Sequence, residues 1–325
     1  MIILTGGAGM IGSMIAWHLN TILNKNQFVI VDEFLVPEQE KNIGKRDFID
    51  LIGKNELPNY LKSNSQIEAI IHMGAISATT ENNFNNLLKS NIRYSQFLWD
   101  WASANQVPLI YASSAATYGD GEFGYKDNSD ALLNYKPLNA YGYSKHFFDI
   151  WVQNQLQQNL PKPPKWFGLK FFNVYGPNEY HKGRMASVVY NAFNQFKKDG
   201  EVRFFKSKNP EYKDGMQLRD FIYVKDFNKA LKIIIEKNKI WNKGEIINIG
   251  SEKQLSNFQV LKTIQKTFKK KGRFKIVNKY FKPWDSDCWV SDCSHLKKKY
   301  KFKIEYNFLN AIKDLKIELG TLKNH

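Results

Sequence analysis

Apolar residues open the chain in a run, Ile2 to Thr5, which breaks at once into Gly6-Gly7-Ala8-Gly9-Met10-Ile11-Gly12. Beyond the glycines Ile15, Leu19, Ile22 and Leu23 recur at helical spacing, so this segment predicts a strand, a tight turn and a helix. Phe28 to Val31, closed by Asp32, is a second continuous apolar run, and Ala69 to Met73 and Pro108 to Ser113 are two more. Short runs without polar alternation are the pattern of strands buried on both faces, and each is separated from the next by enough chain for a helix. Repeated in this way, the alternation predicts an α/β fold, a Rossmann-type doubly wound parallel sheet.

Tyr141 to about Leu156 is helical in pattern and is ended by Pro161, Pro163 and Pro164, after which Trp166 to Phe172 reads as another strand. Beyond Asn173 the alternation becomes irregular, with loops, Lys runs and a late strand at Glu245 to Ile249. This half predicts a smaller mixed α/β C-terminal domain. The expected division is a dinucleotide-binding domain of residues 1–172 plus about 217–250, and a substrate-binding domain of residues 173–216 plus 251–325. There is no internal repeat and no long flexible linker.

Composition narrows the class. With 43% hydrophobic and 14% aromatic residues in 325, the chain is globular rather than disordered. No apolar run approaches the roughly 18 residues needed to cross a bilayer, and no basic leader precedes Ile2, so a cytoplasmic location without membrane contact is expected. The two cysteines, Cys288 and Cys293, have no second pair at zinc-ligand spacing, which argues against a disulfide framework and a metal site.

The net charge of +16 is uneven: residues 1–160 carry −4 and residues 161–325 carry +20. Six of the 47 basic residues are Arg and the rest Lys, whereas bidentate contacts to phosphate and bases favour Arg. A nucleic-acid interface is therefore not expected. The basic half either attracts an anionic small substrate or is a solvated Lys-rich face.

The glycine turn carries the first chemistry. Gly6, Gly9 and Gly12 supply a turn free of Cβ strain, bare backbone for a pyrophosphate and close helix-to-strand packing, while the helix N-terminus offers free N–H groups. Asp32, 20 residues past Gly12, stands where an acidic residue hydrogen-bonds an adenosine ribose and favours NAD. Lys41 and Lys54 follow in segments able to reach a 2′-phosphate, so NADP and NAD both remain open.

Tyr141-Gly142-Tyr143-Ser144-Lys145 places a phenol and an ammonium four residues apart on one helix face. A free Tyr titrates near 10, and a neighbouring Lys cation together with a nicotinamide cation would favour its phenolate, as removal of an alcohol proton during hydride transfer requires. Tyr143 points to a different face. The pair follows Tyr111-Ala112-Ser113-Ser114-Ala115-Ala116-Thr117-Tyr118-Gly119, whose hydroxyls belong at the carboxyl edge of the sheet, where such folds bind ligands.

The glycine turn, the Ser114 segment, the Tyr141/Lys145 pair and Phe172-Asn173-Val174-Tyr175-Gly176-Pro177, in that order, resemble the extended short-chain dehydrogenase/reductases. His72-Met73-Gly74-Ala75-Ile76-Ser77-Ala78-Thr79-Thr80-Glu81 and His181-Lys182-Gly183-Arg184-Met185-Ala186-Ser187 resemble the signature of the ADP-L-glycero-D-manno-heptose 6-epimerases. The likeness runs from residue 1 to about 250. It implies a C6 epimerase of a nucleotide-diphosphate heptose, with Tyr141 and Lys182 as acid/base groups on opposite sides of the sugar carbon and Lys145 and Ser114 supporting Tyr141. It implies NADP, contacted by Gly6, Gly9, Met10, Ile11, Gly12, Asp32, Glu33, Lys41, Lys54, Met73, Gly74, Ala75, Ser77, Asn91, Lys145 and His181. Substrate contacts are implied for Ser77, Thr79, Asn173, Lys182, Arg184, Asn191, Phe205 and Ser207, with Arg219 meeting the diphosphate. Relatives of this kind assemble as homo-oligomers.

Inversion of a carbinol carbon that lacks an acidic C–H requires hydride removal, rotation of the ketone and hydride return to the other face. One base cannot serve both faces, so a Tyr on one side and a Lys on the other suits the task. The pattern departs from the family at Arg184, where a small hydroxyl residue is common, at Asn191, where His is frequent, and at 279–294, where Trp284, Asp285 and Trp289 replace a Tyr-containing stretch. These departures leave a UDP-glucose 4-epimerase as the alternative; a dehydratase ranks below it, because Ala115 and Ala116 beside Ser114 supply neither acid nor base. From another class, a non-catalytic Rossmann-fold RNA-binding protein would use the basic half but would not need the Tyr141/Lys145 pair.

Overall fold

The computed structural model describes residues 1–33, 36–127, 129–207, 210–236, 244–280 and 288–321, with the side chains of 129, 130, 184, 236, 278–280 and 321 also outside the description. Trp284 and Asp285 of the divergent segment, and the side chain of Arg184, therefore lie outside the described residues.

Seven parallel strands form the main sheet: β1 (Ile2–Thr5), β2 (Phe28–Asp32), β3 (Asp50–Gly53), β4 (Ala69–His72), β5 (Leu109–Ser114), β6 (Trp166–Phe171) and β10 (Glu245–Ile249). Their spatial order is β10-β6-β5-β4-β1-β2-β3, which reverses direction between β1 and β4. An open sheet of this kind places its binding crevice at the carboxyl edge beside that reversal.

Period-two alternation sends neighbouring residues of each strand to opposite faces, and both faces are covered. Ile3, Val29, Val31, Ile70, Leu109 and Tyr111 pack against Leu57 and Leu61 of α3 (Leu57–Ser63), Leu98 and Trp99 of α5 (Tyr94–Ala104) and Phe148 and Val152 of α6 (Ala140–Gln157). Ile2, Leu4, Ile30, Ile71 and Ile110 pack instead against Met14, Ile15 and Leu19 of α1 (Met10–Thr21) and Phe227, Leu231 and Ile234 of α8 (Val224–Glu236). Two short helices, α2 (Glu38–Ile43) and α4 (Phe84–Leu87), complete this half, and a π-helical turn at Leu88–Arg93 joins α4 to α5.

The C-terminal half adds a mixed three-stranded sheet in which β9 (Leu218–Tyr223) runs parallel to β7 (Asn173–Tyr175) and antiparallel to β11 (Gln254–Ser256). A parallel pair, β8 (Glu201–Lys206) with β12 (Arg273–Tyr280), lies beside α7 (Val188–Asp199), on which α9 (Asn257–Phe268) and then α11 (Phe308–Thr321) pack, while α10 (Ser294–Tyr300) packs against β10 of the main sheet. The buried carboxylate of Asp220 on β9 ties this half together, accepting from the amides of Ser251, Glu252 and Ser291 and from both serine hydroxyls.

Two differences from the sequence expectation have local causes. The first helix stops at Thr21, because Asn24 takes a positive φ of 50° and Asn20 binds the carbonyl of Lys25, so Ile22 is left 50% exposed. The half that reads as irregular holds long amphipathic helices. Their apolar residues, such as Val189, Ala192, Phe193 and Phe196 of α7, are interrupted by polar residues, here Asn191, Asn194 and Gln195, but remain at helical spacing.

Burial of neutral imidazoles sets an expected response to acid. His72, 2% exposed, is held down to about 3, chiefly by burial and then by the Lys145 and Lys54 cations. Burial likewise brings His18, His146 and His181 down to about 4. Below about pH 6.5 the unfolded chain binds protons that the folded chain refuses, so stability falls as pH drops towards 4, with His72 alone worth about 3 kcal/mol at the end of that window. Asp226, raised to about 6 by burial, opposes this over a narrower range. Thermal melts followed by circular dichroism are expected to move steadily down between pH 6.5 and 4; a flat profile would contradict the assignment.

Candidate active site

The dinucleotide turn is built as its glycines require. Gly6 has φ 67°, and a Cβ there would lie 2.5 Å from the backbone nitrogen of Gly74. A Cβ on Gly12 would lie 2.1 Å from the Gly6 carbonyl oxygen. These approaches bring the loop after β4, with Met73, Gly74 and Ala75, against the first turn. Asp32 ends β2 with one carboxylate oxygen accepting from the Ala8 amide at 2.8 Å and the other from the Glu33 amide at 2.8 Å. Burial nonetheless holds its carboxyl above the ordinary range.

Gly9 caps α1 without a side-chain acceptor, and no acidic residue lies in the first turn. The leading amides of Met10 and Ile11 thus lie at the positive end of a helix whose own first turn holds no acidic residue, which fits a pyrophosphate. At the neighbouring strand ends Lys54 donates to Ser90 at 3.1 Å and lies 3.9 Å from the Glu33 carboxylate, while Lys41 is exposed on α2. Glu33 and Lys54 therefore meet, and Lys41 stands apart in solvent.

Tyr141 and Lys145 occupy the start of α6, which Asn139 caps by accepting from the Gly142 amide at 2.7 Å. The Tyr141 hydroxyl is hydrogen-bonded to Ser114 at the end of β5; burial raises its pKa and the Ser114 contact works against that rise. Lys145, 4% exposed, donates to the Ala112 carbonyl at 3.0 Å. Burial lowers its pKa to about 8, and Asp149 opposes that fall. Tyr143 turns outward, 39% exposed, against Phe147.

Asn91 reaches this helix from the π-helical turn. Its amide nitrogen donates to the Ser144 hydroxyl at 2.9 Å and to the Ile76 carbonyl, and its oxygen accepts from the Ile76 amide. Asn91 therefore braces the 73–77 loop against α6, with Ser77 exposed and Thr79 half-buried beyond it.

Lys182 arrives from the other side. Its ammonium lies 3.3 Å from the sulfur of Met10, on the first turn of α1. One buried carboxylate holds the loop in place: Glu179 accepts from the Gly176 amide and, at the far end, from the Ser187 amide at 2.6 Å and hydroxyl at 2.8 Å. The loop also docks onto the dinucleotide turn. Asn178 donates to Ser13 at 2.9 Å, and Asn42 donates both to the Ala8 carbonyl and to Nδ1 of the neutral His181. Asn42 and Asn178 escape a reading of motifs alone, since their partners are distant in sequence, whereas Glu179 binds Gly176 and Ser187 within its own loop.

The remaining substrate candidates fall into two groups. Asn173 donates to the Asp220 carbonyl at 3.1 Å, next to the buried Arg219, so these two are adjacent across β7 and β9. Asn191 binds the Ala186 carbonyl at the end of the Lys182 loop. Phe205 lies on β8, 43% exposed, and Ser207 follows that strand with its amide donating to Asp214. Among the described residues no cluster of His, Cys, Asp or Glu could hold a metal ion, and no helix is long and apolar enough to cross a membrane.

Sequence comparison finds the NAD dependent epimerase/dehydratase family over residues 2–250. An ADP-L-glycero-D-manno-heptose-6-epimerase of Fusobacterium nucleatum subsp. nucleatum is 49% identical over 261 residues, 79% of this chain and 76% of that protein. One of the same name from Nitratidesulfovibrio vulgaris is 40% identical over 256 residues, covering 78% of this chain and 76% of that one. The crystal structure of the Helicobacter pylori ADP-L-glycero-D-manno-heptose-6-epimerase superimposes with a TM-score of 0.80 at 26% identity, over 100% of this chain and 96% of that one. A UDP-N-acetylglucosamine 4-epimerase from Methanobrevibacter ruminantium shares the fold, with a TM-score of 0.81 at 22% identity over 99% of this chain and 98% of that one. The chain thus belongs to the NAD dependent epimerase/dehydratase family, and within it to the ADP-L-glycero-D-manno-heptose-6-epimerases, and is an isomerase.

Proposed function

We propose that this enzyme inverts C6 of ADP-D-glycero-β-D-manno-heptose to give the L-glycero epimer, with Tyr141 and Lys182 as its two acid/base groups. The observation that carries the reading is that Ser114, the partner of Tyr141, and Met10, the partner of Lys182, both lie at the carboxyl edge of the sheet. Only β4 separates β5 from β1 there, so the two groups approach the crevice from positions about 10 Å apart. That span suits a sugar carbon presented to a nicotinamide ring, and the likeness to enzymes named for the heptose supports the substrate.

A bound nicotinamide dinucleotide would accept a hydride from the sugar carbon and return it. Tyr141, hydrogen-bonded to Ser114 and one helical turn before Lys145, takes or gives the hydroxyl proton on one side. Lys182 does so on the other, and the tethered nucleotide holds the sugar while the ketone turns over. Arg219 and Asn173 are suited to that tethering. NADP is the cofactor favoured by this reading, since Asp32 spends both oxygens on backbone amides and Lys54 stands at the adjacent strand end.

The reading extends to a cytoplasmic homo-oligomer, supported by the exposed aromatic trio of Phe84, Tyr143 and Phe147 on α4 and α6. Several lysines of the basic half are already paired with carboxylates, as Lys225 is with Asp314 and Glu318, and Lys299 with Glu245, which supports a solvated face over a nucleic-acid surface. The purified protein is expected to convert ADP-heptose, followed at the C6 stereocentre by proton NMR, and to leave UDP-glucose unchanged. Turnover of UDP-glucose alone would overturn the choice of substrate.

A further inference from the structure

Behind the Tyr141/Lys145 pair lies a buried charge pair that the reaction scheme does not use. Asp149, 0% exposed on α6, accepts from Lys170 of β6 at 2.8 Å, from Ser113 at 2.7 Å and from Tyr111 at 3.1 Å. Lys170, 2% exposed, also donates to Thr117 at 2.6 Å and lies over the rings of Tyr118 and Tyr135. Replacing such a pair by apolar residues is often neutral or stabilising, so stability alone gives little reason to keep it.

Its position suggests the reason. Asp149 is one helical turn from Lys145 on the same face of α6. Tyr111 and Ser113, which hold the Asp149 carboxylate, flank Ala112, whose carbonyl holds the Lys145 ammonium. Thr117, gripped by Lys170, donates to the carbonyl of Ser114, the residue that contacts Tyr141. One buried network therefore touches both supports of the phenol.

We propose that Asp149, compensated by Lys170, is a positioning residue that sets the charge and placement of Lys145 against β5, and through Thr117 the placement of Ser114. This rests on the role given above to Tyr141 and Lys145. The groups that face the network are Tyr141 and His146 on α6, His72 on β4, Tyr111 on β5, Tyr118 and Tyr135. His72 and His146 are neutral at physiological pH, and burial holds Tyr111, Tyr118 and Tyr135 protonated. The Asp149 carboxylate is thus the anion that favours the Lys145 cation, and Lys170 moderates it.

The test is the pH profile of kcat/KM for the cofactor-loaded enzyme, with thermal melts to confirm folding. Lys145 loses its proton near pH 8, so activity is expected to fall on the alkaline side there. Asp149→Asn is expected to move that limb down by about one pH unit. Lys170→Arg, which keeps the cation, is expected to leave it in place. Should Asp149→Asn not fold, Tyr111→Phe strips one hydrogen bond from the carboxylate and is expected to move the limb up by about half a unit. A folded Asp149→Asn enzyme with an unmoved limb, or a Tyr111→Phe enzyme with no upward shift, would overturn the proposal. Failure of the Tyr141 reading would show separately, as full activity of Tyr141→Phe with Asp149 intact.

Discussion

Tyr141→Phe is expected to lower kcat for epimerisation by about a thousandfold while cofactor remains bound, which places the loss in a proton transfer. The substitution deletes one oxygen, hydrogen-bonded to Ser114, from a half-buried ring, and it leaves the glycine turn, Asp32 and Lys54 untouched. Folding and dinucleotide retention therefore serve as internal controls, read by melting temperature and by the cofactor that co-purifies. Without its alcohol proton removed on that side, the substrate cannot give up hydride there. Retention of full turnover would remove Tyr141 from the mechanism, and loss of bound cofactor would show that the hydroxyl serves binding.

What the sequence shows of this site follows from how local each feature is. The glycine turn was legible because its constraints act within a few residues: a positive φ at Gly6 and the contact of Gly12 with Gly6 leave their mark directly in the residue types. The Tyr141/Lys145 spacing was legible for the same reason, since helical period alone puts both on one face and sends Tyr143 to another. Strands buried on both faces announce themselves as apolar runs. β3, at the edge of the sheet with Asp50 and Leu51 exposed, does not.

Long-range pairing is where motif reading stops. Nothing near Asn42 in sequence says that it will bridge Ala8 to His181, and nothing near Asn178 says that it will reach Ser13. Asp149 carried a faint signal, a charge one turn beyond Lys145 on a face that packs inward, but its meaning depends on Lys170, which only the sheet brings near. Family likeness implies substrate roles for Arg219 and Asn173, and the pairing of β7 with β9 sets Asn173 opposite Phe221, two residues along β9 from Arg219.

Lys182→Met carries the second large effect, and its value lies in the contrast with Tyr141→Phe. Epimerisation requires a proton transfer on each side of the carbon, so removing the ammonium is expected to lower overall conversion by a similar factor, about a thousandfold, although Tyr141 is intact. Hydride exchange on the side that Tyr141 serves should survive. Presented with each epimer separately, the two variants are expected to show opposite preferences: whichever epimer Lys182→Met still oxidises, Tyr141→Phe should leave alone. The absorbance of the reduced nicotinamide in a single turnover reads this directly. Because either loss halts the cycle, the double variant should be hardly slower than either single one. Met keeps the length and much of the apolar volume of the Lys stem, so the Glu179 clamp and the docking of Asn178 on Ser13 should hold the loop in place. If the variant instead raised KM at constant kcat, Lys182 would bind the substrate without moving its proton, and the second acid/base group would have to be sought elsewhere at the sheet edge.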